Sequence, residues 1–227
     1  PTLIVVRSII GFGSPNKADT SGAHGSPLGE DEIKLSKKAY GWPENEKFLV
    51  PKEVPDYFRS TVGDQGAKAS GEWTAKFSKY KTSFAKEAAE LEAIFARRLP
   101  AGWDSGLTEF PADSKGMATR VSSGKVLNML APHMRWLVGG SADLAPSTMT
   151  LLDKQTAFSP QDYSGRNFHF GIREHAMAAA LNGMSLSGLR AYGATFFVFT
   201  DYMRPALRLS SIMHQPVLFV LTHDSIG

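Results

Sequence analysis

One carboxylate, Glu174, lies in Gly171-Ile-Arg-Glu-His-Ala-Met177, between a short apolar strand expected at 167–170 and a small-residue helix expected at 172–188. This arrangement sets an acid at the positive end of a helix dipole, inside an otherwise apolar unit. A lone buried acid is costly unless something shares its proton or its charge. The position therefore suits proton exchange with a ligand. The structural alternative is a helix-start glutamate that satisfies backbone amides.

Other chemistry-bearing residues cluster just past expected strands. Ser141, Asp143 and Ser147 fall in a loop, Gly139 to Ser147, after a strand at 136–138, and His223 and Asp224 follow a strand at 216–222. In a parallel sheet, ligands sit there, although Gly-Gly, Ser and Asp also stabilise ordinary turns. Phe196, Phe199 and Tyr202 recur every three residues after a strand ending near Thr195. They can wall a heteroaromatic ring and offer a phenol; the same spacing also serves core packing. His24 lies in a Gly/Ser/Pro loop rather than on an apolar face. Arg120 opens a helix, where it can grip a phosphate with two parallel hydrogen bonds or remain a surface charge. Gly11-Phe-Gly13 lacks a third glycine and a following helix, so it is not a dinucleotide fingerprint. No Gly-x-Ser-x-Gly, His-Glu-x-x-His or P-loop occurs, which leaves nothing to suggest a serine hydrolase, zinc protease or nucleotidase.

The elements that must position these residues alternate. Residues 2–10 form a β-rich apolar run that reads as a buried strand, followed by a Gly/Ser/Asn loop to Gly29 and a helix over Glu30 to Tyr40. Prolines 43, 51 and 55 punctuate a connection. Asp56 to Arg98 has helical spacing, weakened by Gly63, Gly66 and Gly71, with an apolar face of Trp73, Phe77, Tyr80, Phe84, Leu91, Ile94 and Phe95 that is expected to pack in a core. Residues 99–116 read as a linker. A helix at 119–134, strand 136–138, strand 167–170, helix 172–188, strand 190–195, helix 205–213 and strand 216–222 follow, with Pro205 expected in the first turn of its helix. Such alternation predicts an α/β fold of parallel sheets wrapped by helices, in two partial domains joined by a linker.

The 227 residues are 42% hydrophobic and 21% charged, enough for one large or two small domains. No apolar run is long enough to span a bilayer. A net charge of +3 with scattered basic residues gives no reason to expect nucleic acid. The absence of cysteine excludes disulfides and thiolate metal sites. The chain starts inside an apolar run and stops just past a strand, so it is expected to be an internal piece of a longer protein.

Taken in order, Ile10-Gly-Phe-Gly-Ser-Pro-Asn-Lys17, His24-Gly-Ser-Pro-Leu28, Ala118-Thr-Arg120, Gly139-Gly-Ser-Ala-Asp-Leu-Ala-Pro-Ser147, Gly171 to Met177, Thr195-Phe-Phe-Val-Phe199 with Tyr202, and Thr222-His-Asp-Ser-Ile-Gly227 resemble the transketolases. Ser26 stands where the family commonly has alanine. The resemblance implies a thiamine diphosphate-binding fold, with the end of a diphosphate-binding domain at 1–98, a linker at 99–116 and most of a pyrimidine-binding domain at 117–227. It implies transfer of a two-carbon ketol unit from a ketose phosphate to an aldose phosphate. Glu174 would hydrogen-bond the aminopyrimidine and favour its imino tautomer. Phe196, Phe199 and Tyr202 would hold that ring, and Asp143 would help place the cofactor. Arg120, Ser147 and His223 would bind the sugar phosphate, and His24 would face cofactor and substrate. The magnesium or calcium ligands are expected outside this chain, which alone should be inactive. The resemblance further implies a homodimer with active sites between subunits, in the cytoplasm or a plastid stroma, without membrane or nucleic-acid partners. Dihydroxyacetone synthase, another thiamine diphosphate enzyme, and a split or non-catalytic subunit remain alternatives. Deoxyxylulose-phosphate synthase, which lacks the Gly-Gly-Ser-Ala-Asp-Leu pattern, is less similar.

Overall fold

Short apolar strands joined by helical crossovers build one parallel sheet in this protein. The computed structural model describes residues 2–223, and the chain divides into two compact units, 1–74 and 75–227.

The first unit holds no strand among the described residues. The expected strand at 2–10 is not formed: Leu3, Ile4, Val5 and Val6 are 77–87% exposed. Strand propensity expresses fit to a pleated, half-buried surface, and this run has no neighbouring strand among the described residues. The loop that follows leads into helix α1 (Glu30–Ala39), which carries three acids in its first turn and Lys37 and Lys38 in its last, matching the helix dipole. Helix α2 (Glu53–Phe58), a π turn (Arg59–Gly63) and helix α3 (Asp64–Ser83) come next. Gly66 and Gly71 do not interrupt α3.

The second unit begins within α3, at Ala75, and continues with helix α4 (Ala85–Phe95), set off from α3 by Phe84 at φ −137°. The apolar face expected to be core is only partly covered: Phe84 and Phe95 are more than half exposed, as is Trp73 in the first unit, while Phe77, Tyr80, Leu91 and Ile94 are half-buried. Phe77, Tyr80 and Phe84 instead pack on one another, with centroids 6.3 and 5.1 Å apart. Ile94 does reach the core. Residues 99–116 are irregular, with Trp103 packed against that core. Next come α5 (Thr119–Leu130), β1 (Leu137–Ser141), α6 (Ala145–Thr148), β2 (Asn167–His169), α7 (Glu174–Leu186), β3 (Arg190–Phe196), a 3-10 turn (Phe197–Phe199), α8 (Thr200–Ile212) and β4 (Leu218–Thr222). The strand order is β2-β1-β3-β4, all parallel.

Two differences from the sequence reading matter. Strand β1 extends to Ser141, so Gly139, Gly140 and Ser141 are buried strand residues rather than loop. Helix α8 starts at Thr200, which places Pro205 inside it. The proline lies on the exposed side, and its missing N–H costs one bond to the Asp201 carbonyl.

Each face of the sheet carries a core. Leu127, Met134, Trp136, Leu152 and Tyr192 form one cluster, and Met177, Ala178, Leu181, Ala191 and Met203 form the other. Tyr192 and Ala191 are adjacent on β3 and point to opposite faces, as the period of two requires. A Cβ on Gly139 would strike the Tyr192 carbonyl, and one on Gly140 the Phe168 carbonyl. The Gly-Gly pair is thus required by close approach of neighbouring backbone. Gly140→Ala should destabilise the protein by about 1–3 kcal/mol in urea unfolding. Gly71→Ala, in open space on α3, should stabilise it by about 0.5–1 kcal/mol.

Candidate functional site

Strands β1 and β3 are neighbours, yet the chain leaves β1 toward β2 and β3 toward β4. The crevice at their carboxyl ends is the topological switch point, where open parallel sheets bind ligands. A cleft of about 780 Å³ opens there. Asp143 lines it from the loop after β1, Ile172 to Ala176 from the segment after β2, and Phe199 and Tyr202 from the segment after β3.

Glu174 is the first residue of α7 and is 6% exposed. Its burial follows from helix packing. Met177, Ala178 and Leu181 recur at helical spacing and dock on β3. Gly193 lets them approach, because a Cβ there would meet Leu181 and Met177. Glu174 lies one turn before this contact, at the carboxyl end of β3. There the Thr195 hydroxyl donates to Glu174 Oε1 at 3.4 Å. A carboxyl group buried this deeply with one long hydrogen bond keeps acceptor sites for a ligand. Arg173 closes the preceding turn by donating from Nη1 to the Phe170 carbonyl at 2.9 Å, while Gly171 supplies φ 68°.

Asp143 sits at φ 61°, left-handed for a residue with a Cβ. It follows Ser141, whose hydroxyl donates to the Ala194 carbonyl at 2.9 Å and accepts from the Leu144 N–H at 3.2 Å. Ser141 therefore ends the strand and shapes the turn rather than facing a ligand.

A second cleft of about 520 Å³ lies at the end of β4, lined by Arg120, Ser123, Thr222 and His223 among others. Arg120 is the second residue of α5, where the helix dipole favours an anion. Its Nη1 contacts His223 Nε2, and the Thr222 hydroxyl lies 2.8 Å from His223 Nδ1. Arginine only donates, so in this contact Nε2 is the acceptor. His223 is at φ 58°. Asp224 lies outside the described residues.

Aromatic rings connect the clefts. Tyr202 and Phe199 are 6.2 Å apart, Phe199 and Phe196 stack at 5.8 Å, and Phe196 packs on the His223 ring at 4.0 Å. Of the candidates, Asp143, Glu174, Phe199 and Tyr202 share the first cleft, Arg120 and His223 share the second, and Phe196 stands between. Ser147 lines neither; it is exposed on α6, which lies against the sheet near β3 and β4. His24 is an exposed residue of the first unit, just after a 3-10 turn at Ser21–Ala23. Thr195 was not singled out by the sequence, although it opens the Thr195 to Phe199 motif. Leu144 and Ile172, apolar walls of the first cleft, lie inside two of the sequence motifs without polar chemistry to single them out.

Comparison with known proteins agrees with this geometry. The family described as "Transketolase, thiamine diphosphate binding domain" matches residues 1–100, and "Transketolase, pyrimidine binding domain" matches residues 115–227. A transketolase of Bacillus subtilis is 53% identical over 230 residues, aligning all of this chain with 34% of its own length. One from Geobacillus stearothermophilus is 51% identical over 228 residues, with the same shares. Among solved structures, transketolase from Pichia stipitis in complex with sedoheptulose 7-phosphate has a TM-score of 0.85 at 40% identity, covering 96% of this chain and 33% of that one. Transketolase from Leishmania mexicana has a TM-score of 0.83 at 39% identity, covering 96% and 32%. The chain spans about a third of the length of these relatives. Its parallel sheet, its switch-point cleft and two family patterns that together match nearly all of its sequence agree: the chain belongs to the transketolase family.

Proposed function

We propose that this chain is part of a thiamine diphosphate-dependent transketolase, which moves a two-carbon ketol unit from a ketose phosphate to an aldose phosphate. The observation that carries this reading is Glu174, buried with acceptor capacity to spare in an apolar cleft beside Phe199 and Tyr202. One buried acid, apolar walls and aromatic rings suit an aminopyrimidine, which needs a hydrogen bond at a ring nitrogen and apolar contact over its faces. When bound, thiamine diphosphate supplies the nucleophile and electron sink for breaking and making the carbon–carbon bond.

In this reading Glu174 hydrogen-bonds the aminopyrimidine ring and favours its imino tautomer. Phe196, Phe199 and Tyr202 grip the ring, and Asp143 helps to place it. Arg120 and His223 receive the sugar phosphate, a role that the basic, polar second cleft at a helix start supports; Ser147 of α6, outside that cleft, joins them. A relative solved with sedoheptulose 7-phosphate supports the substrate class. His24 acts on the reacting oxygens. Magnesium or calcium accompanies the diphosphate on ligands outside this chain. The functional division is 1–98, 99–116 and 117–227, supported by family matches that leave 101–114 unassigned. Two copies of the full-length protein form a homodimer in which His24 and Glu174 of one subunit serve different active sites. No helix among the described residues is long and apolar enough to cross a membrane. We place the protein in the cytoplasm or a plastid stroma.

Four outcomes follow for the full-length protein. Glu174→Ala should lower kcat by at least about 100-fold in a ketol-transfer assay. Mixing it with His24→Ala subunits should restore part of the activity in verified heterodimers; no recovery would rule out shared active sites. Arg120→Met should raise KM for phosphorylated sugars roughly 10–100-fold, the worth of one charge-assisted hydrogen bond, and leave non-phosphorylated ketoses nearly unaffected. An equal effect on both would remove Arg120 from the phosphate site. Asp143→Gly should relieve left-handed strain and gain about 0.5–1 kcal/mol in thermal unfolding, while weakening cofactor binding measured by quenching of intrinsic fluorescence.

A further inference from the structure

One buried polar cluster in the first unit has no part in the reading above. Glu32 lies in the first turn of α1 and is 8% exposed despite its charge. Its Oε1 accepts from the Ser14 hydroxyl and from the Asn16 backbone N–H, the latter at 2.8 Å. Its Oε2 accepts from Asn16 Nδ2 at 2.8 Å. These donors, Ser14 foremost, lower its pKa to about 2, against the opposing effect of burial. The group is thus an anion throughout the neutral range. An anion receiving three hydrogen bonds from one short loop segment is a firm anchor.

A second tether begins at the adjoining residue. Lys17 Nζ donates to the Leu28 carbonyl at 2.9 Å, so the loop from 17 to 28 is pinned across its base. Between the pins, the Thr20 hydroxyl donates to the Lys17 carbonyl at 2.8 Å, and the Asp19 N–H donates to the Ile10 carbonyl at 2.9 Å. The 3-10 turn Ser21–Ala23 ends with the His24 N–H donating to the Ser21 carbonyl at 3.0 Å. His24 is presented from this closed loop on its exposed side. Such compact loops with tied ends hold functional side chains on a rigid base.

We propose that Glu32 is a positioning residue: together with Lys17 it clamps the loop that carries His24 and fixes where that imidazole is presented. This rests on the reading of His24 as an active-site residue. Glutamine is a poor replacement, because it removes the charge that strengthens all three bonds and meets Asn16 Nδ2 with an NH₂ group unless that amide turns over. Lys17→Met breaks the other pin and leaves the three hydrogen bonds to Glu32 in place, removing only a weaker charge attraction.

The test uses full-length protein carrying Glu32→Gln, Lys17→Met, His24→Ala and each pair with His24→Ala. Hydrogen exchange over 18–28 should speed up roughly tenfold in both clamp variants as local opening becomes easier, with the helices of the second unit unchanged. Turnover should fall on the order of 10–100-fold through misplacement of His24, with KM for the ketose phosphate within about twofold. In the His24→Ala background the clamp variants should cost almost nothing more, since residues acting through one another are non-additive. Unchanged exchange over 18–28 in both variants overturns the proposal. So does a loss of turnover that persists undiminished in the His24→Ala background. If His24→Ala alone keeps full turnover, the reading of His24 falls, whereas faster exchange in the clamp variants still upholds the clamp.

Discussion

The close contact between α7 and β3 governs everything at the carboxyl end of the sheet. Gly193 removes the side chain that would hold the helix away, and Met177 and Leu181 fill the space with no exposed surface. Burying each contributes about 1.5–3 kcal/mol. That is enough to offset the 1–3 kcal/mol typical of a buried, sparsely bonded polar group. The helix therefore carries Glu174 out of water as a consequence of apolar packing one turn further along. The acid is buried because its neighbours are, and the core offsets the cost of its sparse hydrogen bonding.

Much of this was legible in the sequence, because it rests on periodicity. The alternation of strands and helices after residue 117 gave the parallel sheet, and Glu174 was recognisable as an acid at the start of a small-residue helix. What escaped the sequence depends on contacts between distant segments. Gly139 and Gly140 look like a turn until β2 and β3 are seen to crowd them from either side. Thr195 looks like any strand threonine until α7 brings a carboxylate to it. The run at 2–10 shows the reverse error. Its composition is that of a strand, but strand formation needs a neighbour, and composition carries no information about one.

The two clefts divide their chemistry cleanly. The first is apolar with one deeply buried acid; the second is basic and lies at a helix start. Asp143 and His223, one for each cleft, both adopt left-handed backbone just after a strand. Such geometry costs free energy that the surrounding sheet must supply. Its presence at both strand ends places the strain where the side chains are aimed.

Phe196 touches the aromatic wall of one cleft and the imidazole of the other. Any change in its bulk is transmitted in both directions along the ladder. The apolar cleft and the basic cleft therefore do not evolve as independent modules. Variation that alters the basic cleft and spares the apolar one has to fall on the outer rim and keep this ring, since one alteration here disturbs two surfaces at once.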